Sequence, residues 1–506
     1  MVLLLSKEQK LIEEAAVKNG VTLESLMERA GRALYQNIEE KLRKRLRGIS
    51  CAVLCGGGGN SGDGFVAARC LKESGASVSV IMCSESPKAG DSGAMFEKAL
   101  SANVPVIVLT SDEQLSAETV EKAQVIVDAV YGIGFHGALS EPVSKIFASA
   151  NANKTAYKIS ADVPSGVGAD SGCVCENAFS ADTTLAMVGF KPAHILKCSA
   201  DQCGNSLLAE IGIPDSAYES VKLSIGELTE RIASRILPKR SECAHKGTCG
   251  RLLEIVGSDR YRGAAVLCTK GALVCGAGLI SVASGENTLK AVASHCPEAV
   301  LIDIVIDSKY FADTLSRADA CAIGCGLSLT NSARGLVENA LETAKCPLIC
   351  DADGINILAE NINLLKGHKQ TIVLTPHLGE LARLCRKSME EIKADRIGIA
   401  REFAAEYDVT IVLKSENTMI VFPSGEVFVC TIGNAGLAKG GSGDLLCGVI
   451  ASFAAMDIAP TLAAMLGVYV HSRAADLAAM NMPMHCMTAS VVAEFIPSAI
   501  AELECE

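Results

Sequence analysis

Short apolar runs, each ending in a glycine-rich or acidic loop that opens into a helical stretch, recur along this chain and limit its fold more than any other feature. Residues 51–55 (Cys-Ala-Val-Leu-Cys) run into Gly-Gly-Gly-Gly-Asn-Ser-Gly-Asp-Gly at 56–64, then into a helical segment through Phe65, Val66, Arg69 and Leu71. Strand, glycine-rich turn and helix open a Rossmann-like unit. Further strands are predicted at 77–82, 104–109, 124–128, 156–160 and 183–188, with helical stretches at 92–101 and 112–122. The pattern resumes with strands at 252–256, 279–283, 299–304, 320–324, 347–351, 371–374, 409–413 and 419–422, and closes on helices near 441–455, 459–477 and 487–502. Such alternation means parallel sheets with helices on both faces. Composition agrees: 49 % of residues are apolar, aromatics are 4 % and Trp is absent, so the cores must be built from Ala, Val, Ile and Leu, as buried parallel sheets are.

A length of 506 residues asks for two or more domains. The stretch 205–238 reads as the joint: Gly-Ile-Pro at 212–214 closes one part, and the segment from Leu223 onward is polar and helical. The expected domains are 1–223 and 224–506. At the front, Ser6 is placed to cap a first helix, and a second runs from Thr22 to about Leu46, leaving the basic run at 42–47 as a solvated helix end. A net charge of −12 argues against a general nucleic-acid binder. No apolar run reaches the roughly 18 residues that span a bilayer, and residues 1–5 are too short for a signal peptide, so a cytoplasmic protein without a membrane partner is expected. The 22 cysteines are scattered and often mid-strand, and read as reduced thiols filling cores. Cys173-x-Cys175, and Cys243 with Cys249, lack zinc-site spacing.

In doubly wound sheets, ligands bind beyond the carboxyl ends of strands. Three polar clusters fall there in the first half: the 56–64 loop with Asn60 and Asp63, Asp128 followed by Gly-Ile-Gly-Phe-His-Gly at 132–137, and Asp-Val-Pro-Ser-Gly at 162–166. The second half carries its densest signal at 433–448, Gly-Asn-Ala-Gly-Leu-Ala-Lys-Gly-Gly-Ser-Gly-Asp-Leu-Leu-Cys-Gly. Glycines let backbone amides approach an anion, and a helix N-terminus adds a favourable dipole. Asp444, in the first turn, would take a proton from a substrate hydroxyl or help to hold Mg²⁺. Asp351 and Asp353 follow the strand 347–351, either as structural caps or as part of a magnesium–phosphate site. His136 reads as a binding-loop residue and His471 as a packed helix residue.

These motifs carry resemblances. Gly-x-Gly-Asp at 441–444 resembles the signature of ribokinase-like kinases. Its longer form from Asn434, with His-Lys-Gly at 245–247, Gly-Ser at 257–258, Gly-Ala at 263–264, Pro-His-Leu-Gly-Glu at 376–380 and Lys414, is similar to the nucleotide-dependent NAD(P)HX dehydratases, which repair hydrated NAD(P)H. The first-half clusters resemble the NAD(P)HX epimerase family, with two departures: Gly59 stands where that family has an Asn and Ser61 where it has a Gly. The resemblance implies an α/β chain: an N-terminal Rossmann-like three-layer domain plus a C-terminal ribokinase-like α/β domain. It implies a bifunctional enzyme that interconverts R and S NAD(P)HX and dehydrates the S form.

By the same resemblance, K⁺ is held by Asn60, Asp128 and Ser165. The epimerase substrate site comprises Gly59, Asn60, Ser61, Gly62, Asp63, Gly132, Ile133, Gly134, Phe135, His136, Gly137, Ala138 and Asp162, with Asp162 as acid/base. The dehydratase substrate meets Ala264, Gly326, His377 and Asp444. The nucleotide meets Lys414, Ser415, Glu416, Asn417, Thr418 and Gly443, with Asp444 as catalyst. Mg²⁺ and ADP (or ATP), with ADP favoured by the fused architecture, are the implied co-factors, and a homo-oligomer the implied assembly. A small-molecule kinase of the vitamin-precursor type, carrying a non-catalytic N-terminal nucleotide-binding module, is the alternative; it would share 441–444 but not 376–380.

Overall fold

The computed structural model describes residues 3–86 and 90–505. Of the apolar start at 1–5, Met1 and Val2 lie outside the described residues; Leu3, Leu4 and Leu5 are buried, and the Leu4 amide donates to the Phe190 carbonyl at 2.8 Å. The chain divides into two compact units, Met1–Ile225 and Gly226–Glu506.

The first unit holds β1 (Ser50–Cys55), β2 (Ser77–Met82), β3 (Val106–Val108), β4 (Val125–Ala129), β5 (Tyr157–Ala161), β6 (Thr183–Ala186) and β7 (Asn205–Leu208) in the order β3-β2-β1-β4-β5-β6-β7. Every pairing is parallel. Successive residues of β1 enter opposite cores, Cys51, Val53 and Cys55 one and Ala52 and Leu54 the other, so both faces are covered. The order reverses between β1 and β4, so the loops after these two strands diverge and leave a crevice.

Three local expectations change. The first helix, Ser6–Lys18, is capped by Glu8 rather than Ser6: the Leu5 amide donates to the Glu8 carboxylate at 2.8 Å, while Ser6 bonds to Asp170 through both its amide and its hydroxyl. The second helix stops at Lys41, and Arg43 and Lys44 take positive φ, so the basic run is a turn rather than a helix end. The segment 205–238 is not a bare joint, since it contributes β7 and also β8 (Ile225–Glu227). These strands are three or four residues long, too short to display a period.

The second unit continues with β9 (Arg251–Ile255), β10 (Leu279–Ser284), β11 (Val300–Asp303), β12 (Ala320–Ile323), β13 (Leu348–Cys350), β14 (Ile372–Leu374), β15 (Val409–Leu413), β16 (Met419–Val421) and β17 (Val427–Val429). The order is β11-β10-β9-β12-β13-β14-β15-β16-β17-β8, parallel from β11 to β15 and antiparallel across β15-β16-β17. Its switch point lies between β9 and β12. Among the described residues no helix is long and apolar enough to cross a membrane.

The helices Arg262–Cys275 and Ser442–Ala455 press backbone to backbone on one face of this sheet. A Cβ on Gly448 would sit 1.9 Å from the Cys268 carbonyl oxygen, and one on Gly271 2.4 Å from that of Leu445. Gly448→Ala is therefore expected to cost about 1–3 kcal/mol, because backbone cannot retreat as a flexible side chain can. Gly335→Ala, in the exposed middle of the helix Asn331–Thr343 with nothing within 4 Å of its added Cβ, is expected to stabilise by about 0.5–1 kcal/mol. Thermal unfolding of the two variants should move in opposite directions.

Candidate active sites

In the first unit, a cavity of about 830 Å³ opens at the switch point. Gly59, Asn60 and Asp63 line it from the start of the helix Asn60–Glu73, Gly132 to Phe135 from the loop after β4, and Asp162 from the end of β5. Ser61, Gly62, His136, Gly137 and Ala138, assigned to this site from sequence, do not line it. The helix turns Ser61 inward, where its hydroxyl donates to the Ala129 carbonyl at 3.3 Å, and Gly62 packs on Met27. It is Met27 that forms part of the wall.

Asn60, Asp128 and Ser165 converge. Asn60 Nδ2 donates to the carbonyls of Tyr131 (2.9 Å) and Ala161 (3.3 Å). Asp128 is fully buried; Ser165 donates its hydroxyl at 2.6 Å and its amide at 2.8 Å, Ser160 its hydroxyl at 2.9 Å and Val130 its amide at 3.2 Å. The Asp128 partners are neutral donors: burial pushes its carboxyl up to about 6, against the pull of these hydrogen bonds. Among the described residues no cationic side chain pairs with this carboxylate, and the amide, hydroxyl and carbonyl oxygens around it suit a hard cation.

Asp162 stands in the left-handed region at φ 64, a conformation Asp tolerates. The segment after β6 wraps round it. The Met187 amide donates to Asp162 Oδ1 at 2.9 Å, and the fully buried Lys191 ammonium pairs with the same oxygen. Among the described residues Oδ2 has no hydrogen-bond partner. Lys191 also donates to the carbonyls of Met187 (2.7 Å) and Gly189 (2.9 Å). His194 Nδ1 accepts from the Lys191 amide at 2.8 Å, which leaves Nε2–H to donate to the Asp162 carbonyl at 2.7 Å. Burial, with the Lys191 charge, pulls His194 down to about 4, so it stays neutral. Val188, at φ 62, carries strain that a β-branched residue accepts only under constraint from its surroundings. Across the cavity, burial raises the Asp63 carboxyl well above the ordinary range, reinforced by Asp162 and Glu13, and burial raises Glu13 too. Sequence reasoning missed Lys191. Its one signal was that, His194 apart, it is the only ionisable side chain between Asp182 and Lys197.

In the second unit the site sits beyond the ends of β12, β13, β14 and β15. Asp351 is buried after β13, accepting from the Thr375 hydroxyl at 2.6 Å and the Lys414 ammonium at 2.5 Å. Burial works against its charge, but Lys414 more than offsets this and holds the carboxyl below its ordinary value. The same pair raises Lys414 despite burial. Asp353 accepts from the Ser328 amide at 2.7 Å. Of these two residues, Asp353 ties down the loop after β12, while Asp351 lies close to Asp444.

Asp444 lies in the first turn of the helix Ser442–Ala455, after Gly441 in the left-handed region at φ 95. Carboxylate oxygens of Asp351 and Asp444 and the Cys325 sulfur lie within 4.8 Å of one another, an arrangement that could receive a cation. Burial first, then the charge of Asp351, pushes Asp444 up to about 7. Gly443 lies alongside; a Cβ there would sit 3.1 Å from Lys414 Nζ. The first amides of the helix have no intrahelical acceptor and point where an anion can meet them. The loop before it is tethered by Asp476, which accepts from the Gly433 amide at 2.8 Å and from Asn434 Nδ2 at 2.9 Å.

His377 caps the helix Leu378–Cys385: its Nδ1 accepts from the amides of Gly379 (3.0 Å) and Glu380 (3.4 Å), and the Glu380 carboxylate accepts from the His377 amide at 2.9 Å. Burial, Lys414 and Arg383 lower its pKa, and its Nε2 lies 3.4 Å from Glu380 Oε1. Gly326, at φ 61, leaves a gap that a Cβ would close against Ala264 (2.7 Å) and Tyr261 (2.8 Å). In the segment 415–418 the side chains are engaged with the protein itself. Ser415 donates to the Asn417 carbonyl at 2.7 Å, Arg396 pairs with Glu416 at 2.6 Å, and the buried Asn417 amide donates to the Cys430 carbonyl at 3.2 Å. These side chains brace the hairpin, so backbone is what the segment offers a ligand. His471, buried on the helix Pro460–Ala479, is pulled down to about 4 by burial.

Two family models match: one described as YjeF-related protein N-terminus over residues 23–193, and one described as NAD(P)H-hydrate dehydratase over residues 252–498. The bifunctional NAD(P)H-hydrate repair enzyme of Moorella thermoacetica is 32 % identical over 494 residues, covering 95 % of this chain and 92 % of that one. That of Thermofilum pendens is 33 % identical, covering 98 % and 95 %. Among solved structures, the ADP/ATP-dependent NAD(P)H-hydrate dehydratase of Bacillus subtilis, co-crystallised with ATP/Mg²⁺, is 33 % identical with a TM-score of 0.51, covering 56 % of this chain and all (100 %) of that one.

Proposed function

Because the chain belongs to the family of bifunctional NAD(P)H-hydrate repair enzymes, we propose that residues 1–223 epimerise R and S NAD(P)HX and residues 224–506 dehydrate the S form at the expense of ADP (or ATP). The observation that carries the second half is Asp444, at about 7, standing beside the Lys414–Asp351 pair at a helix N-terminus. The relatives span both halves of the chain, which favours this reading over a lone vitamin-precursor kinase.

Water leaves poorly as hydroxide and well once its oxygen carries phosphate. Asp444 takes the proton of the C6 hydroxyl as that oxygen attacks the terminal phosphoryl group. The amides at the start of the helix Ser442–Ala455 and the Lys414 ammonium stabilise the charge on the transferring group. The ring-nitrogen lone pair then expels phosphate from C6, and loss of a C5 proton to the released phosphate restores the double bond. Asp351 would help to hold Mg²⁺, which would neutralise phosphate charge, while Asp444 stays free to take the proton. His377 and the gap at Gly326 face the substrate.

In the first unit, Asp63, whose protonated form burial favours, gives its proton to the C6 hydroxyl as water departs and the ring-nitrogen lone pair forms the C6=N bond, and Asp162 Oδ2 takes a proton from the water that adds to the other face. Asn60, Asp128 and Ser165 would hold K⁺, which offsets the buried Asp128 charge and ties the loops after β4 and β5 together.

The base form of Asp444 is the reactive one. With its value raised to about 7, kcat/KM for dehydration is expected to fall below neutrality along a limb near pH 7 and to level above it. A limb near pH 4 would remove Asp444 from the base role. The function itself is tested by absorbance of the reduced nicotinamide. Mixed R and S hydrates are supplied with Mg²⁺, K⁺ and either ADP or ATP. Full recovery with one nucleotide establishes both activities and names the donor. Recovery that stops at the S fraction removes the epimerase assignment, and no recovery with either nucleotide removes the whole reading.

A further inference from the structure

Behind the second-unit site lies a cluster that the reaction does not use. Cys268 on the helix Arg262–Cys275, Cys447 on the helix Ser442–Ala455 and Cys325 after β12 bring their sulfurs within 4.8 Å of one another, and all three are fully buried. The close approach of the two helices at Gly448 and Gly271 makes this convergence possible. Beside it, Glu254 projects from β9 into the same buried layer. Thr269 donates to its Oε2 at 2.6 Å, and the Cys268 sulfur lies 3.5 Å from its Oε1. Among the described residues no Lys, Arg or His pairs with Glu254. A buried carboxyl with no cation among the described residues, beside one of three converging sulfurs, is unusual in an apolar layer.

We propose that Cys268, Cys325, Cys447 and Glu254 form a binding site for one thiophilic dication of the Zn²⁺ or Cd²⁺ class. Tetrahedral zinc bound at about 2.3 Å to sulfur places its sulfurs about 3.8 Å apart, so the cluster need contract by no more than about 1 Å. Glu254 Oε1, 3.5 Å from the Cys268 sulfur, swings towards the other two sulfurs to become the fourth ligand, and the Thr269 hydroxyl holds the carboxylate by its other oxygen. Each thiol loses its proton to solvent as its sulfur lone pair binds the ion, so at least three protons leave and no electron is transferred. Entry runs past Cys325, whose sulfur lies 3.6 Å from Asp351 Oδ2. Cys447 follows Asp444 by three residues on one helix face, so an ion bound there fixes the turn that carries Asp444.

The test is titration of the reduced full-length protein with Cd²⁺ against a competing chelator, followed by cadmium–thiolate charge-transfer absorbance. Cys268→Ala and Glu254→Gln are run beside the parent. The parent is expected to take one tight equivalent more than Cys268→Ala, which loses it with a fall in affinity of about 100-fold or more. Glu254→Gln keeps side-chain volume and the Thr269 contact, and is expected to weaken the same equivalent about 10-fold or more. Equal uptake at equal affinity in all three proteins would place the bound ion on other cysteines and overturn the proposal. Should Cys268→Ala fail to fold, Glu254→Gln decides alone: unchanged affinity overturns the site. The readout is binding, so it does not depend on the dehydratase assignment.

Discussion

Asp444→Asn is expected to lower nucleotide-dependent repair of the S hydrate by about 10²–10⁴-fold, with epimerisation unchanged. The Asn keeps the shape of the helix turn and cannot accept the proton. The same substitution is expected to stabilise the protein. The folded-state value of Asp444, about 7, lies above its ordinary value of 3.8, so the stability tied to its neutral form is complete below the lower value and is lost as pH rises through the upper one. Asn carries no such penalty. At pH 8 the variant should unfold on the order of 1–4 kcal/mol harder than the parent, and the gap should narrow as pH falls from 7 towards 4. Activity lost together with stability gained marks a group kept for chemistry at the expense of the fold. A variant that repairs normally, or that is no more stable at pH 8, would contradict the role and the burial argument respectively.

Lys191→Met is expected to abolish epimerisation and destabilise the first unit by about 3–5 kcal/mol, because Asp162 is left buried without its cation. The ammonium holds Asp162 Oδ1 and two carbonyls of the strained turn at once, so its removal frees the loop as well as the charge. Dehydration of pure S hydrate should survive. The double variant Lys191→Met/Asp162→Asn should regain a good part of the stability and none of the activity, since the remaining pair is neutral. Epimerisation retained in Lys191→Met would show that Asp162 needs no partner, and would confine the lysine to the fold.

How much of this was legible in the sequence depends on range. The Gly-rich loops at 56–64 and 433–448, Asp128, Asp162, Asp444 and the order of strands and helices are written locally: each motif carries its own turn chemistry, and the apolar runs of parallel strands announce themselves. Lys191 and Glu254 were not legible, since a charged residue is read as exposed until the structure surrounds it with a partner or leaves it without one. For Ser61 and Gly62 the limit is of the opposite kind: a motif fixes a loop, but the helix phase decides which of its side chains face the cavity and which face Met27 or Ala129.

By itself the sequence determined two units on largely parallel sheets, though not the antiparallel turn-back at β16 and β17, and the ends of the strands where chemistry gathers. Only the tertiary structure decided which charges meet. Asp351 and Lys414 are 63 residues apart, and their pairing with Thr375 follows from three neighbouring strands ending at one edge. Cys268, Cys325 and Cys447 meet because two helices touch at glycines. The physical reason is that turn and strand preferences act over a few residues, whereas burial and Coulomb energy depend on neighbours that only the fold supplies.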